Sequence, residues 1–295
     1  MLALEQLAEI LEKNRQAATA RVREFSLAGK PFPFNSRPAI MGVINLSADS
    51  WYRESVCLDA NAAIARGKML AAQGAEIIDL GAESTLAHAA RATSAQQKGK
   101  LIPVVRALRE EGLLVSTETY EPAVAKACLE AGANVLNLTG TEETGEIFRM
   151  AAAHDAAVII CYVQGTHVRN VGDFNFATDS IPMMHDFFAR QIELATQCGA
   201  EKLFLDPGLG FYYRNLLDSS VRVRHQMNVF LNTFRLRDLG FPICHALPHA
   251  FEYFGEEVRC AEPFFAVLAA LGRTDLFRTH EVPRIKAVLQ TLQVF

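Results

Sequence analysis

No apolar run in the 295-residue chain is long enough to cross a bilayer. The N-terminus, MLALEQLAEILEKNRQ, carries charges throughout, so it lacks the apolar core and cleavage site of a signal peptide. The six cysteines (Cys57, Cys128, Cys161, Cys198, Cys244 and Cys260) include no C-x-x-C pair, which speaks against a disulfide framework and for reduced thiols. A basic excess is also missing. The formal net charge is -4, which argues against nucleic acid or an anionic membrane as the main partner. The expectation from these absences is a cytoplasmic, soluble globular protein.

What is present is ordinary globular composition, 50% apolar and 21% charged, in a chain long enough for one large α/β domain. The organising stretch is IMGVINLSADSW, Ile40–Trp51. An apolar run of strand length, Ile40–Ile44, opens into a polar cluster of Asn45, Ser47, Asp49 and Ser50. The same grammar repeats downstream. Short apolar runs at 40–45, 76–80, 113–117, 134–138, 157–162, 202–206, 241–245 and 276–278 alternate with longer helical patterns. Gly-Ala pairs at Gly74, Gly132 and Gly199 suit left-handed helix caps before the next strand.

Eight strand–helix units predict a closed (β/α)8 TIM barrel over residues 39–295. The runner-up, an open doubly wound sheet, would usually carry a Gly-rich fingerprint after its first strand, and none is there. Residues 1–38 read as an N-terminal helical extension. Leu4, Leu7, Ala8 and Leu11 recur at helical spacing in a helix expected over 3–25, packed on the body or on a partner subunit. Three prolines within Gly29–Pro38 end it.

Barrels of this kind build their sites at the C-terminal strand ends. Those ends offer Asn45 and Asp49, Glu83-Ser84-Thr85, Glu118, Asn137, Tyr162 and Gln164, Asp206, His245, and Arg278 with His280. Carboxylates and carboxamides of this number can hold a flat polar heterocycle, and the basic pair after the last strand suits an anion. Each residue also has a plain structural role open to it. Asn45 and Asp206 (in Asp-Pro-Gly) suit turns, Glu118 suits an ion pair and Arg278 a solvated surface. Cys161, Cys244, His245 and His249 near two strand ends raise a zinc reading, but closer paired spacing usually marks such sites, and buried thiols and core histidines are the favoured reading.

The stretches MGVINLSADSW, IIDLGAEST, STETY, VLNLTG, LDPGLGF and FRTHEV, in this order, resemble the motifs of the dihydropteroate synthase family of pterin-binding barrels. The resemblance runs from Ile40 to Leu292. It implies folate biosynthesis: 6-hydroxymethyl-dihydropterin pyrophosphate is joined to p-aminobenzoate and pyrophosphate leaves. It further implies that Asp206, Asn137 and Glu118 bind the pterin; Gln164 and Thr85 are further substrate-binding candidates from their place at the strand ends. Asn45, Arg278 and His280 would hold the pyrophosphate, Asn45 also as a ligand of Mg²⁺. A homodimer is expected by the same analogy.

The chain departs from the family pattern at one side of that site. CHALPHAF stands where the family has S-R-K after strand seven, and Leu86 stands where it has a loop arginine. Ala48 replaces a proline, Glu118 an aspartate, Leu138 an aspartate, Cys161-Tyr162 a Met-His, and Tyr212-Tyr213 a Gly-Lys. Three readings follow: a synthase-like transferase with the family's or a changed second substrate, a non-catalytic paralogue, and a folate-linked methyltransferase-like domain. The last leaves Arg278 and His280 unexplained.

Overall fold

A computed structural model describes residues 2–47, 49, 55–84, 91–174, 179–210, 213–216 and 218–294. The chain begins with helix α1 (Leu4–Lys13) and the single turn α2 (Arg15–Ala18). Leu7 and Ile10 of α1 rest on the main core, while its charged residues face solvent. The helix expected over 3–25 therefore stops early. Residues 20–24 are irregular, and the chain turns into a hairpin of β1 (Phe25–Leu27) and β2 (Lys30–Phe32). Its two-residue loop, Ala28-Gly29, has φ of 47° and 80°. Positive φ at both central positions matches the twist of a tight hairpin. The hairpin closes the N-terminal end of the barrel. Phe25 and Phe34 each meet Phe204 edge-on, with ring centroids 5.2 and 5.4 Å apart.

The body is a parallel α/β barrel. Its strands are β3 (Ala39–Asn45), β4 (Ile77–Gly81), β5 (Leu114–Thr119), β6 (Val135–Leu138), β7 (Ala157–Cys161), β8 (Leu203–Asp206), β9 (Cys244–Ala246) and β10 (Leu276–Thr279). They bond in the order β8-β7-β6-β5-β4-β3-β10-β9. The two edges meet where Leu205 bridges Ile243 and its N–H donates to Pro242 O at 2.9 Å. An open sheet is thereby excluded. The seventh strand lies at 244–246 rather than 241–245. Ile243 is spent on the closing bridge and on accepting the N–H of Asp275.

The connecting helices are α3 (Ala60–Gln73), α4 (Ser94–Glu110), α5 (Pro122–Glu130), α6 (Thr144–Ala153), α7 (Ile181–Gln197), α8 (Ser219–Asn232), the short α9 (Phe251–Phe254), α10 (Ala261–Leu271) and α11 (Val282–Leu292). Local chemistry sets their starts. The Asp59 carboxylate caps α3 by accepting from Ala62 N at 2.9 Å, and Thr93 with Gln96 forms a capping box on α4. Among the described residues no helix is long and apolar enough to cross a membrane.

Strand side chains alternate between two cores. Ile78, Leu80, Val115, Leu136, Val158 and Ile160 point outward onto the helices. Met41, Ile77, Leu114, Val135, Ile159, Phe204 and Leu276 point inward with Leu27, Phe32 and Phe34 of the hairpin region. The same period of two, carried to the C-terminal end, replaces these apolar residues with Asn45, Asp79, Glu118, Asn137, Cys161, Asp206 and Arg278. The barrel interior thus changes from hydrocarbon to polar along its axis.

Candidate active site

Arg278 on β10 is the centre of the polar layer. Its Nε donates to Asp79 Oδ2 at 2.7 Å and one terminal nitrogen donates to Glu118 Oε2 at 2.6 Å. Asp79 is fully buried. Burial works against the Arg278 charge, but Asp79, Glu118 and Asp206 more than compensate and hold it protonated. Burial pushes the Glu118 carboxyl up to about 7; Arg278 opposes that rise, while the charges of Asp79, Asp206 and Glu83 add to it.

The neighbouring strands complete a floor. Asn137 donates to Asp79 Oδ2 at 3.3 Å, and its carbonyl accepts from the Cys161 thiol at 3.4 Å. These two contacts fix which way the carboxamide faces. Asp206 Oδ1 accepts the Gly208 N–H at 2.8 Å. Burial raises the Asp206 carboxyl to about 6, partly offset by that bond and by Arg278.

The basic edge lies across β3 and β10. Asn45 Nδ2 donates to Ser55 Oγ at 2.6 Å and lies 3.5 Å from His280 Nε2. His280 Nδ1 lies 2.8 Å from Glu262 Oε1, and His249 Nε2 approaches the same oxygen at 3.3 Å. Burial disfavours the Glu262 charge, but the two histidines beside it hold its carboxyl well below the usual range.

Asn45, Glu118, Asn137, Asp206, Arg278 and His280, all expected from sequence, line one cleft of about 250 Å³. Ala246, Leu247, Pro248 and His249, at and after the end of β9 between β8 and β10, form a further wall. That wall is the CHALPHAF stretch. Glu83 lines the cleft edge and is held by the Tyr120 hydroxyl at 2.7 Å and by Arg169 at 3.4 Å. Gln164 is not among the cleft-lining residues, and its amide donates to the Tyr162 hydroxyl at 2.9 Å. Thr85 and Leu86 lie outside the described residues, as do Ala48, Ser50 and Tyr212.

Cys161, Cys244, His245 and His249 do not assemble into a zinc site, and Cys161, Cys244 and His245 are the buried thiols and core histidine that the sequence favours. Strand alternation puts Cys244 inside the barrel with Cys161 and turns His245 outward, where it meets Thr233 Oγ1 at 2.9 Å. Burial lowers His245 to about 3 and raises both thiols well above their ordinary range.

Asp79, Glu262 and Ser55 were not singled out from sequence. Asp79 had a usable signal: an acid inside the apolar run IIDLG has to be paired if that run is a buried strand. Glu262 had little, because an acid in the first turn of a helix reads as a partner for the helix dipole.

Fold and site together define a parallel α/β barrel with a polar ligand cleft at its C-terminal mouth. Residues 41–244 match the model of a family described as pterin binding enzyme, and the chain belongs to that family. The dihydropteroate synthase of Synechocystis is 29% identical over 265 residues, covering 85% of this chain and 88% of that protein. One from Streptococcus pyogenes is 29% identical over 216 residues, covering 72% and 75%. Among solved structures, the Xanthomonas albilineans dihydropteroate synthase with 4-aminobenzoic acid aligns with a TM-score of 0.76 and 25% identity, covering 92% of this chain and 98% of that one. The chain is a divergent relative of these synthases.

Proposed function

We infer that the cleft binds a pterin bearing a pyrophosphate, of the 6-hydroxymethyl-dihydropterin pyrophosphate type, as part of folate biosynthesis. The observation that carries this is the single cleft joining Glu118, Asn137 and Asp206 to Arg278, His280 and Asn45. Asp206 has one oxygen on Gly208 and a second for a ring N–H or amino group. Asn137 is held by Asp79 and Cys161, yet keeps a second amide hydrogen and a second lone pair. Arg278 uses two nitrogens on carboxylates and keeps its remaining N–H groups for an anion.

The reaction this supports is transfer of the pterin methylene from pyrophosphate to an amine. A C–O bond breaks, a C–N bond forms, and the leaving group takes the electron pair. Arg278 and His280 stabilise that charge. Asn45 offers Mg²⁺ one neutral oxygen. That donor set fits an ion arriving with the phosphates rather than a resident one, and the ion would supply further charge neutralisation.

The second substrate is where this chain differs from its relatives. The wall at Ala246, Leu247 and Pro248 is apolar and carries no lysine. It favours an altered amine substrate, and it also gives the non-catalytic reading its specific support. Titration calorimetry with a pterin pyrophosphate analogue, with and without Mg²⁺, tests the ligand. Binding should be lost in Asp206→Ala; no binding to the wild type would overturn the reading. Turnover with p-aminobenzoate then separates transferase from binding protein.

A further inference from the structure

Glu262, fully buried in the first turn of α10, is built as a two-sided ligand. Behind it, Oε2 accepts the Thr279 hydroxyl and the backbone N–H groups of His280 and Glu281, the latter two at 3.1 and 3.2 Å. In front, Oε1 faces two imidazole nitrogens, His280 Nδ1 at 2.8 Å and His249 Nε2 at 3.3 Å. One ligand-capable atom from each of the three residues lies within 4.8 Å of the others. We propose that His249, Glu262 and His280 form a binding site for one divalent transition cation of the zinc class at the edge of the cleft.

The donor set decides the class of ion. Two imidazoles and one carboxylate suit zinc and its first-row neighbours, whereas Mg²⁺ takes oxygen donors. Zinc bonds of about 2.0–2.2 Å in a tetrahedron put donor atoms roughly 3.3 Å apart. The His249–Glu262 separation of 3.3 Å already matches, and the His280–Glu262 separation of 2.8 Å needs a small expansion. Three protein ligands leave a fourth position open, the pattern of a reactive rather than a purely structural site. The supports behind Oε2 are the outer-shell bonds that orient a ligating carboxylate.

The site also acts on the cleft. With Nδ1 on the cation, the ring proton of neutral His280 resides on Nε2. That nitrogen lies 3.5 Å from Asn45 Nδ2, and both residues line the cleft. Cation binding fixes that nitrogen as a donor, which favours an anionic oxygen there. The proposal goes beyond the pterin reading and does not depend on it, since the cation needs no pterin.

The test uses untagged, chelator-stripped full-length protein titrated with Zn²⁺ against a chromogenic competitor, and with Co²⁺ as a visible-absorption probe. One tight equivalent is expected, with cobalt d–d bands of a low-coordinate nitrogen/oxygen site. His249→Ala and Glu262→Gln should weaken binding by a factor of about 100 or more, with circular dichroism confirming the fold. Cys260→Ser should leave it unchanged. The absence of a tight equivalent, its survival in His249→Ala, or its loss in Cys260→Ser would each overturn the assignment.

Discussion

Arg278 on β10 reaches past β3 to the fully buried carboxylate of Asp79 on β4, with a 2.7 Å bond from Nε. The same oxygen accepts from Asn137, so Asp79 orients both the cation and the carboxamide of the proposed ligand floor. Asp79 itself does not line the cleft.

Asp79→Ala should therefore cost stability first. Removing one partner of a buried ion pair strands the other, at about 3–5 kcal/mol for a fully buried pair. The Arg278 side chain is 16% exposed, so the lower end, about 3 kcal/mol, is expected. Adding Arg278→Met should recover part of the loss, because no uncompensated charge remains. Urea unfolding of the two variants reads both; a shift below about 1 kcal/mol for the single change would show that the pair does not hold the layer together.

The opposite end of the barrel should be separable from the site. Phe32 is 2% exposed, packed with Leu27 and Phe34 beneath the inward-facing strand residues. Phe32→Ala is expected to destabilise by about 3–5 kcal/mol. Ligand affinity measured well below the transition should stay unchanged. A large drop in affinity would mean that the hairpin shapes the site as well as the core.

Much of this architecture was written in periodicity. The apolar runs gave the strands, and the polar residues that end them gave most of the cleft, because alternation continues from the hydrocarbon layer into the polar one. The hairpin was hidden because Lys30-Pro31-Phe32 carries a proline and its turn is Ala-Gly rather than Asn-Gly. The Cys/His residues stay apart through the same alternation: Cys244 and His245 are neighbours in sequence and face opposite sides of the sheet. Glu262, His249 and His280 come from α10, the loop after β9 and the end of β10. Local spacing carries no trace of that meeting.

A backbone approach on the outer layer gives a further prediction. A Cβ on Gly272, at the end of α10, would overlap the carbonyl oxygen of Phe230 in α8. Main chain cannot rotate away as a side-chain tip can. Gly272→Ala should cost about 3 kcal/mol or more by thermal or urea unfolding. A near-neutral result would show that α8 and α10 can separate freely.

The carboxylates of the cleft make stability and ligand binding run in opposite directions with pH. Burial raises Glu118 to about 7 and Asp206 to about 6, above the ordinary 4.5 and 3.8. The folded state therefore holds these protons more tightly than the unfolded chain does. Their contribution favours folding at low pH and falls as pH rises from about 4 to about 7. Buried His245 and His225, lowered to about 3 and about 4, work the other way. The quantity to read is thus the difference between wild type and a Glu118→Gln/Asp206→Asn variant. Between pH 5 and pH 8 that variant should gain about 4 kcal/mol relative to wild type in urea unfolding. Pterin N–H groups need ionised acceptors, so affinity of the wild type for the analogue should rise over the same interval, by roughly tenfold. A parallel stability slope in the variant would remove these carboxyls as the source. A flat affinity profile would mean that the ligand does not donate to them.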